Sequence, residues 1–362
     1  MNDRLKFFNS DFSKKQFQNM KKITIKDIAK AMGYSIGTIS KALSNSHEIS
    51  PVTKVEIQKF ANEHGYQSNQ YAKLLRKGRT NIIGMIVPSI GNPFFSQILE
   101  GIEREMSETT YNLIIMQSAD DPKLELKHLE MLSKKGADAV VIAATGNNIS
   151  LKYLQNLKDH GIPIVLIDRT NYAINTYKIG IDNFKVVYQG ISQLIHQGKR
   201  KILFISNLSP GTSTERRRGY IQCLRDFDIA YNSDYLLSIE TNSGRMEVLE
   251  RLKSHITHLV NSSNPPEAIF TASDQLTYLT LEALQVTRIA VPNPLALIGF
   301  ANFQYTNIFQ PSLSSIVQPS HEIGSQAFAI LNKILDSSDN AITISYQNIE
   351  LQASILARKS SE

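Results

Sequence analysis

Downstream of Thr80 the chain alternates between short apolar runs rich in Ile and Val and longer, more polar stretches of helical length. This alternation is typical of parallel strands that are buried on both faces of a doubly wound α/β sheet. The clearest runs span residues 82–87, 112–116, 139–143, 162–167, 201–206, 268–271 and 295–299. Because so many strands exceed one small sheet, the sequence predicts two Rossmann-like halves, with a ligand site beyond the carboxyl ends of their strands.

Residues 24–65 show a different periodicity, in which apolar side chains return every three or four positions. In the first predicted helix these side chains are Ile25, Ile28, Ala29 and Met32. This spacing places them on one face of a helix. Thr24 and Asp27 have the spacing of a capping box at its start, and Gly33 ends it.

Two further helices follow in the same segment. Ser35 is a cap for the second helix, whose inward-facing side chains are predicted to be Ile36, Ile39 and Leu43. A third helix is predicted from Ser50-Pro51, a cap followed by proline at the first helical position, to about Gly65. Three short helices with a tight glycine-containing turn between the first two form a helix-turn-helix unit.

The charge of the chain is concentrated at its N-terminal end. Residues 1–80 carry 15 Lys and Arg against 6 Asp and Glu, a net charge of +9, whereas the remainder carries 24 against 27. A basic head on a mildly acidic body indicates that the head meets a polyanion. A solvated basic face is the alternative that composition alone leaves open.

The second predicted helix presents Gly37, Thr38, Ser40 and Lys41 on its outward side. In a helix-turn-helix the second helix enters the major groove, where lysine donates to guanine acceptors and hydroxyls reach bases or phosphates. An ordinary helical hairpin with one exposed lysine is the alternative. Together with the basic head, this pattern favours DNA binding.

The pattern also predicts where the domains begin and end. Residues 1–20 are polar and aperiodic, typical of a disordered tail, and residues 21–67 hold the helix-turn-helix domain. Residues 68–80 are predicted to be a linker, since isolated helices below about 12–15 residues are marginal in water. Residues 81–362 form the α/β body.

The segment from Ile23 to Asn45 resembles the N-terminal signature of the LacI/GalR (lactose-repressor) family of bacterial transcription regulators. The likeness continues to about residue 360 through Gly65-Tyr66, Asn69, Ala72, Leu75, Ile83-Gly84, Asn92-Pro93-Phe94-Phe95, Asp168-Arg169, Asp182-Asn183, Arg216 to Tyr220, Ser273-Asp274, Ile298-Gly299-Phe300 and Ile355 to Ser360. The resemblance implies a homodimeric regulator, in which a hinge helix joins the head to a periplasmic-binding-protein-like body of two subdomains. It implies double-stranded operator DNA and a small-molecule effector as partners.

Carried over by position, the resemblance assigns Ile36, Gly37 and Lys41 to base-reading positions and Thr38 and Ser40 to phosphates. Because Gly37 has no side chain, one reading position is silent here. The other residues that the resemblance places at the DNA are Thr24, Ser35, Asn69, Tyr71, Ala72 and Leu75. In the family the leucine matching Leu75 wedges into a minor-groove step and kinks the duplex. The family's usual proline before Asn69 is Ser68 here.

For the body, the resemblance marks six residues as effector-contacting or cleft positions: Phe94, Phe95, Asp168, Arg169, Arg216 and Asp274. Carboxylate and guanidinium groups form directional bonds to hydroxyls, and phenyl rings pack on the apolar face of a sugar or base. The effector is therefore expected to be a small polar ligand such as a sugar. Two alternatives stay open, a local Asp168–Arg169 ion pair and a core position for one of the two phenylalanines. The family's usual aspartate after Gly-Phe is Ala301 here.

The sequence supports neither an enzyme nor a cofactor or metal site. Gly198-Lys199 lacks the upstream glycine of a phosphate loop, no Gly-x-Ser-x-Gly elbow occurs, and His255 and His258 have no evident third ligand. The single cysteine, Cys223, excludes a disulfide framework, and its helical spacing from Tyr220, Leu224 and Phe227 predicts a core position.

No apolar run approaches the roughly 18 residues that a membrane helix needs, and the first 20 residues do not resemble a secretory signal. We therefore expect a cytoplasmic protein without a membrane partner. The chain also has no C-terminal heptad repeat, which favours a dimer over a coiled-coil tetramer. The competing functional reading is a sugar-binding solute receptor without DNA function, which the body alone would allow.

Overall fold

A computed structural model describes residues 23–66, 79–208, 211–336 and 346–362 of the chain. The chain divides into two compact units, Met1–Gly78 and Arg79–Glu362, which we call the head and the body. The division falls two residues before the predicted start of the body at residue 81. Among the described helices, none has the length and apolarity needed to cross a membrane.

The described part of the head, residues 23–66, contains three helices, which are α1 (Ile25–Met32), α2 (Ile36–Leu43) and α3 (Pro51–Glu63). The predicted caps are confirmed: Thr24 and Asp27 form a capping box, and the hydroxyls of Ser35 and Ser50 accept main-chain N–H groups three residues on. Gly33 ends α1 with φ of 70°, a left-handed conformation that favours glycine. A small core closes between the helices around Ile28, Ile39 and Ile57.

The described strands of the body are β1 (Ile82–Val87), β2 (Asn112–Gln117), β3 (Ala139–Ile142), β4 (Ile164–Ile167), β5 (Tyr177–Ile181), β6 (Ile202–Asn207), β7 (Leu236–Ile239), β8 (Ala268–Thr271), β9 (Ala296–Phe300), β10 (Ser314–Val317), β11 (Asn348–Leu351) and β12 (Ser354–Leu356). They form two six-stranded sheets with the orders β11-β5-β4-β3-β1-β2 and β12-β10-β9-β8-β6-β7. Every described pairing is parallel except that of β12 with β10. The predicted pair of doubly wound halves is confirmed.

Helices cover both faces of each sheet. They are α4 (Pro93–Met106), α5 (Pro122–Lys134), α6 (Asn148–Asp159), α7 (Asn183–His196), α8 (Thr212–Asp226), α9 (Arg245–Val260), α10 (Asp274–Thr287) and α11 (Ser320–Asp336). Short 3₁₀ helices occur at Ser233–Tyr235, Thr241–Ser243 and Lys359–Ser361. Helices α4, α5, α6 and α11 pack on the first sheet and the other four on the second. We call these assemblies lobe 1 and lobe 2.

The chain crosses between the lobes three times in the described residues. The crossings follow β5, precede α11 and separate β11 from β12. Such multiple crossings restrain the two lobes to rotate about a common hinge. All seven predicted strands are present, with ends shifted by at most two residues, whereas β5, β7, β10, β11 and β12 were not predicted.

Candidate functional site

Helix α2 carries five of the eleven predicted DNA-binding residues. Gly37 and Lys41 are exposed, whereas Thr38 and Ser40 are half-buried. The predicted inward position of Ile36 is wrong, because its side chain is 47% exposed. Ile36 is the first residue of α2, and side chains at a helix start point back toward its N-terminus, away from the covered turns. Its exposure agrees instead with a role in contacting bases.

Local hydrogen bonds hold the polar side chains of this face. The Ser35 and Thr38 hydroxyls lie 2.9 Å apart, and the Thr24 hydroxyl donates to Asp27 at 2.7 Å. The Lys41 ammonium is engaged by the carboxylate of Glu48, and about half of each side chain is exposed. Because an exposed ion pair is worth less than about 1 kcal/mol, little free energy is needed to separate Lys41 from Glu48.

Four predicted DNA-binding residues, Asn69, Tyr71, Ala72 and Leu75, lie outside the described residues. Their proposed role in a hinge helix therefore remains a prediction from the sequence. The nearest described residue on the body side is Arg79.

In the body, a cleft of about 470 Å³ opens between the two lobes at the carboxyl ends of their strands. Ends of parallel strands are the usual ligand-binding edge of such sheets. All six residues that the sequence marked for effector binding line this cleft. The full lining consists of Pro88, Ser89, Gly91, Asn92, Pro93, Phe94, Phe95, Asp120, Asp168, Arg169, Asn207, Thr212, Arg216, Arg245, Ser273, Asp274, Gln275, Tyr278, Leu279 and Gln318.

Phe94 and Phe95 form the apolar part of the lobe 1 wall. They begin α4, which is capped by the Asn92 side chain and starts with Pro93. Their rings meet edge to face with centroids 5.0 Å apart, and both side chains are buried in the lobe 1 core. Both phenylalanines are therefore core residues that also line the cleft.

Asp168 stands directly after β4 in an unusual backbone conformation. Its φ is 61°, a region that costs most non-glycine residues energy and is common at functional sites. Burial raises the pKa of this carboxyl above its usual range, and the Arg216 and Arg169 guanidinium groups lower it in part. Within the described residues, no group donates a hydrogen bond to this carboxylate, and Arg169 Nε lies 3.8 Å away.

Arg169 pairs mainly with another residue of the same lobe. Its Nη1 lies 2.6 Å from Asp120 Oδ1, so the local Asp168–Arg169 pair is the weaker of its two contacts. Burial lowers the pKa of Arg169, but Asp120, Asp168 and Tyr172 together outweigh that effect, so the pKa is raised overall. Because Arg169 pairs mainly with Asp120, residues of lobe 1 balance the negative charge of Asp168 only in part.

Arg216, on α8, is the buried cation of lobe 2. It donates to Asn183 Oδ1 at 2.7 Å, to the Ala272 carbonyl at 2.6 Å and to Gln318 Oε1 at 3.4 Å. Its guanidinium lies 3.7 Å above the centre of the Phe300 ring. Burial lowers its pKa to about 10, opposed by Asp168 and Asp274. Arg216 is therefore a fixed charge with part of its donor capacity left for a ligand.

Asp274 begins α10 in the same lobe. Its Oδ1 accepts the Asn302 main-chain N–H at 2.7 Å. Burial raises the pKa of this carboxyl to about 6, although that hydrogen bond and Arg216 lower it. Arg216 and Asp274 lie on the same wall of the cleft, because both belong to lobe 2. The wall that faces them holds Asp168.

Several cleft residues were missed by the sequence reasoning. Asp120, Asn207 and Gln318 each stand at or just after the end of a strand. Asn207 could have been found from this position, because it ends β6 one residue beyond the strand predicted over residues 201–206. Ala301, expected at the edge of the cleft, is fully buried in the lobe 2 core instead.

Cys223 is confirmed as a core residue. It is buried on α8, and burial raises the pKa of its thiol to about 12. A thiol with so high a pKa is protonated at neutral pH and is a poor nucleophile.

Comparisons with known proteins agree with this architecture. The family model described as "Bacterial regulatory proteins, lacI family" matches residues 24–69, and "Periplasmic binding proteins and sugar binding domain of LacI family" matches residues 80–355. The NTD biosynthesis operon regulator NtdR of Bacillus subtilis is 29% identical over 93% of this chain and 99% of its own. The transcriptional regulator DegA of the same species is 30% identical over 84% and 89%.

Among solved structures, the Lac repressor dimer bound to operator and the anti-inducer ONPF has a TM-score of 0.78. It is 17% identical and covers 94% of this chain and 99% of its own, which shows a shared fold. A helix-turn-helix head with a two-lobed, cleft-bearing body defines a ligand-responsive transcriptional regulator. The chain belongs to the LacI family of bacterial regulatory proteins. Its matched relatives are regulators rather than enzymes.

Proposed function

We propose that this protein is a repressor that binds a pseudo-palindromic operator as a homodimer and responds to a sugar-like effector in the cleft. The observation that carries the proposal is Asp168, a buried carboxylate at the cleft that receives no hydrogen bond from the described residues. A buried charge without donors is costly unless a ligand supplies them.

The composition of the cleft supports a ligand with several hydroxyl groups. Asp168 on lobe 1 and Asp274 on lobe 2 offer acceptor oxygens to ligand hydroxyls, while Arg216 offers N–H donors. Phe94 and Phe95 supply an apolar surface for a ring face. A ligand held by both lobes stabilises the closed cleft by its differential affinity for that state.

The head supports the DNA-binding half of the proposal. Its exposed α2 face and basic charge suit a major groove and its phosphates. Two half-sites in a palindrome require two heads, which a homodimer supplies. The proposed DNA-contacting residues are Thr24, Ser35, Ile36, Gly37, Thr38, Ser40 and Lys41 in the head and Asn69, Tyr71, Ala72 and Leu75 in the linker.

The test is calorimetry of the full chain with a panel of neutral sugars, amino sugars, sugar phosphates and nucleosides. A binder should lose at least tenfold in affinity in Asp168→Asn and keep it in Asp159→Asn, a surface variant on α6. Equal affinity in wild type and Asp168→Asn would remove Asp168 from the site. Mass spectrometry of the recovered binder supplies a second criterion, since chemical turnover would indicate an enzyme.

A further inference from the structure

A buried cluster of amide side chains joins the two lobes. Gln97 lies on α4 of lobe 1, and Asn302 follows β9 of lobe 2. Gln97 Nε2 donates to the Asn302 carbonyl at 2.7 Å, and Asn302 Nδ2 donates to Gln97 Oε1 at 3.2 Å. The Ser320 hydroxyl, at the start of α11, donates to the same Oε1 at 2.6 Å. All three residues are buried, so separating the lobes here leaves polar groups unpaired.

The same cluster is attached to the two buried charged cleft residues of lobe 2, Asp274 and Arg216. The Asn302 main-chain N–H donates to Asp274, as described above. Gln318 donates its main-chain N–H to Asn302 Oδ1 at 3.1 Å, and its side chain accepts from Arg216. A ligand that displaces Asp274 or Arg216 therefore acts directly on the groups that hold Gln97.

On the lobe 1 side, Gln97 belongs to a pair of helices in main-chain contact. A side chain at Gly101 on α4 would clash with the carbonyl of His321, and one at Gly324 on α11 would clash with that of Ile98. Such close contact leaves the two helices little freedom to slide independently. At the far end of α11, the Leu335 carbonyl accepts a hydrogen bond from Arg79.

We infer that Gln97 and Asn302 are positioning residues that transmit the state of the Asp274 carboxylate to the α4–α11 pair and thereby to Arg79. Arg79 is the first described residue after the linker, so this route connects the cleft with the segment that leads to the head. The inference rests on the proposed function, because it requires occupancy of the cleft to govern DNA affinity.

The hydrogen bonds between Gln97 and Asn302 depend on one another, and for this reason the cluster can act as a switch and not only as packing between the lobes. Besides its bond with Gln97, Asn302 Nδ2 donates to the Gln318 carbonyl at 2.8 Å and to the Ser320 hydroxyl at 3.1 Å. A small shift of Asn302 therefore disturbs both of its bonds with Gln97 together with these contacts. Packed elements of this kind occupy discrete arrangements and do not deform continuously. Spatial continuity alone is no proof of coupling, which requires a measurement of non-additivity.

The experiment is a double-mutant cycle in the full chain. An operator duplex is first selected from random DNA with the wild type, and its affinity is measured by fluorescence anisotropy. Asp274→Ala removes the acceptor that holds Asn302 and should change operator affinity about fivefold or more, within the usual range of allosteric coupling. In the Gln97→Met background the same substitution should change affinity less than about twofold. Gln155→Met on α6, where Gln155 bonds only Asp159 among the described residues, should retain the full effect.

Thermal unfolding of each variant distinguishes a positioning role of Gln97 from a purely structural one. If Gln97 only supports the fold, Gln97→Met lowers the unfolding temperature, but its effect on operator affinity and that of Asp274→Ala simply multiply. If Gln97→Met does not fold, Ser320→Ala replaces it and should reduce the Asp274→Ala effect in part. An Asp274→Ala effect of equal size in both backgrounds, or none in wild type, overturns the inference. The effector assignment is judged separately by the calorimetry above, so the two failures are distinguishable.

Discussion

Lys41 is the side chain of α2 best placed to discriminate between bases. It is exposed and basic, and lysine donates to guanine acceptors in the major groove. We expect Lys41→Ala to weaken operator binding by about 1–3 kcal/mol and to relax the preference at one base pair. Gel-shift titrations against a set of single-base operator variants measure both effects. A uniform loss on all sequences would mean that Lys41 contacts phosphate only.

Glu48 supplies the control for that experiment. Its carboxylate holds the Lys41 ammonium and places a negative charge beside a surface proposed to meet phosphates. We therefore expect Glu48→Ala to raise DNA affinity a fewfold at low salt and less at high salt, because exposed charges are screened. In a Lys41→Ala background the gain should shrink, and an undiminished gain would show that Glu48 acts on the DNA independently.

Asp274 gives the body a pH-dependent stability. Burial raises its pKa from the ordinary 3.8 to about 6, so between these values the folded protein holds a proton that the unfolded chain has released. Stability therefore falls as pH rises through this range, and a penalty of roughly 3 kcal/mol remains above it. Asp274→Asn keeps an acceptor for Asn302 and should raise the unfolding temperature near pH 7.5 but not near pH 4.5. A gain that is equal at both pH values would contradict this origin.

At the scale of elements, the glycines of α4 and α11 explain why these helices touch. We expect Gly324→Ala to destabilise the protein by about 1–3 kcal/mol, because its methyl group meets main-chain atoms of α4 that have no flexible end to move aside. Lys333→Ala, on the exposed side of α11, should change stability by less than about 0.5 kcal/mol. Urea unfolding of both variants is the measurement. Equal free energies of unfolding for Gly324→Ala and Lys333→Ala would show that α4 and α11 separate freely to admit the methyl group.

The elements also show what the sequence could and could not predict. Central strands such as β3 and β8 are buried on both faces, so their continuous apolar runs identify them. The short strand β12 lies at a sheet edge and contains only Ser354–Leu356, and its identity depends on pairing rather than on its own residues. A cleft residue directly after a strand, such as Asp168 after β4, can be found from the strand end, whereas Arg216, within α8, was marked by the family resemblance. The Gln97–Asn302 bond cannot be found in either way, because no local pattern links residues so far apart in the chain.

At the scale of the whole molecule, the proposed function requires a change in the cleft to reach the DNA. The sequence supplies the connecting segment, residues 68–80, which is short, weakly apolar and placed between a basic head and a ligand-binding body. In the proposed homodimer, we expect this segment, which is too short to be helical alone, to be stabilised by a second copy beside it. We expect the separation of the two segments to set operator affinity, and closure of the body on its ligand to change that separation.

Leu75 tests this connection, although it lies outside the described residues. As the proposed apolar wedge, its side chain kinks the duplex, and the cost of unstacking is recovered through wider contact with the DNA. We expect Leu75→Ala to leave nonspecific binding nearly intact, because phosphate contacts remain, and to lower operator affinity and DNA bending together. Gel-shift assays with a circularly permuted set of operator fragments measure both quantities. If bending and specific affinity both match the wild type, the coupling runs through another contact between the head and the body.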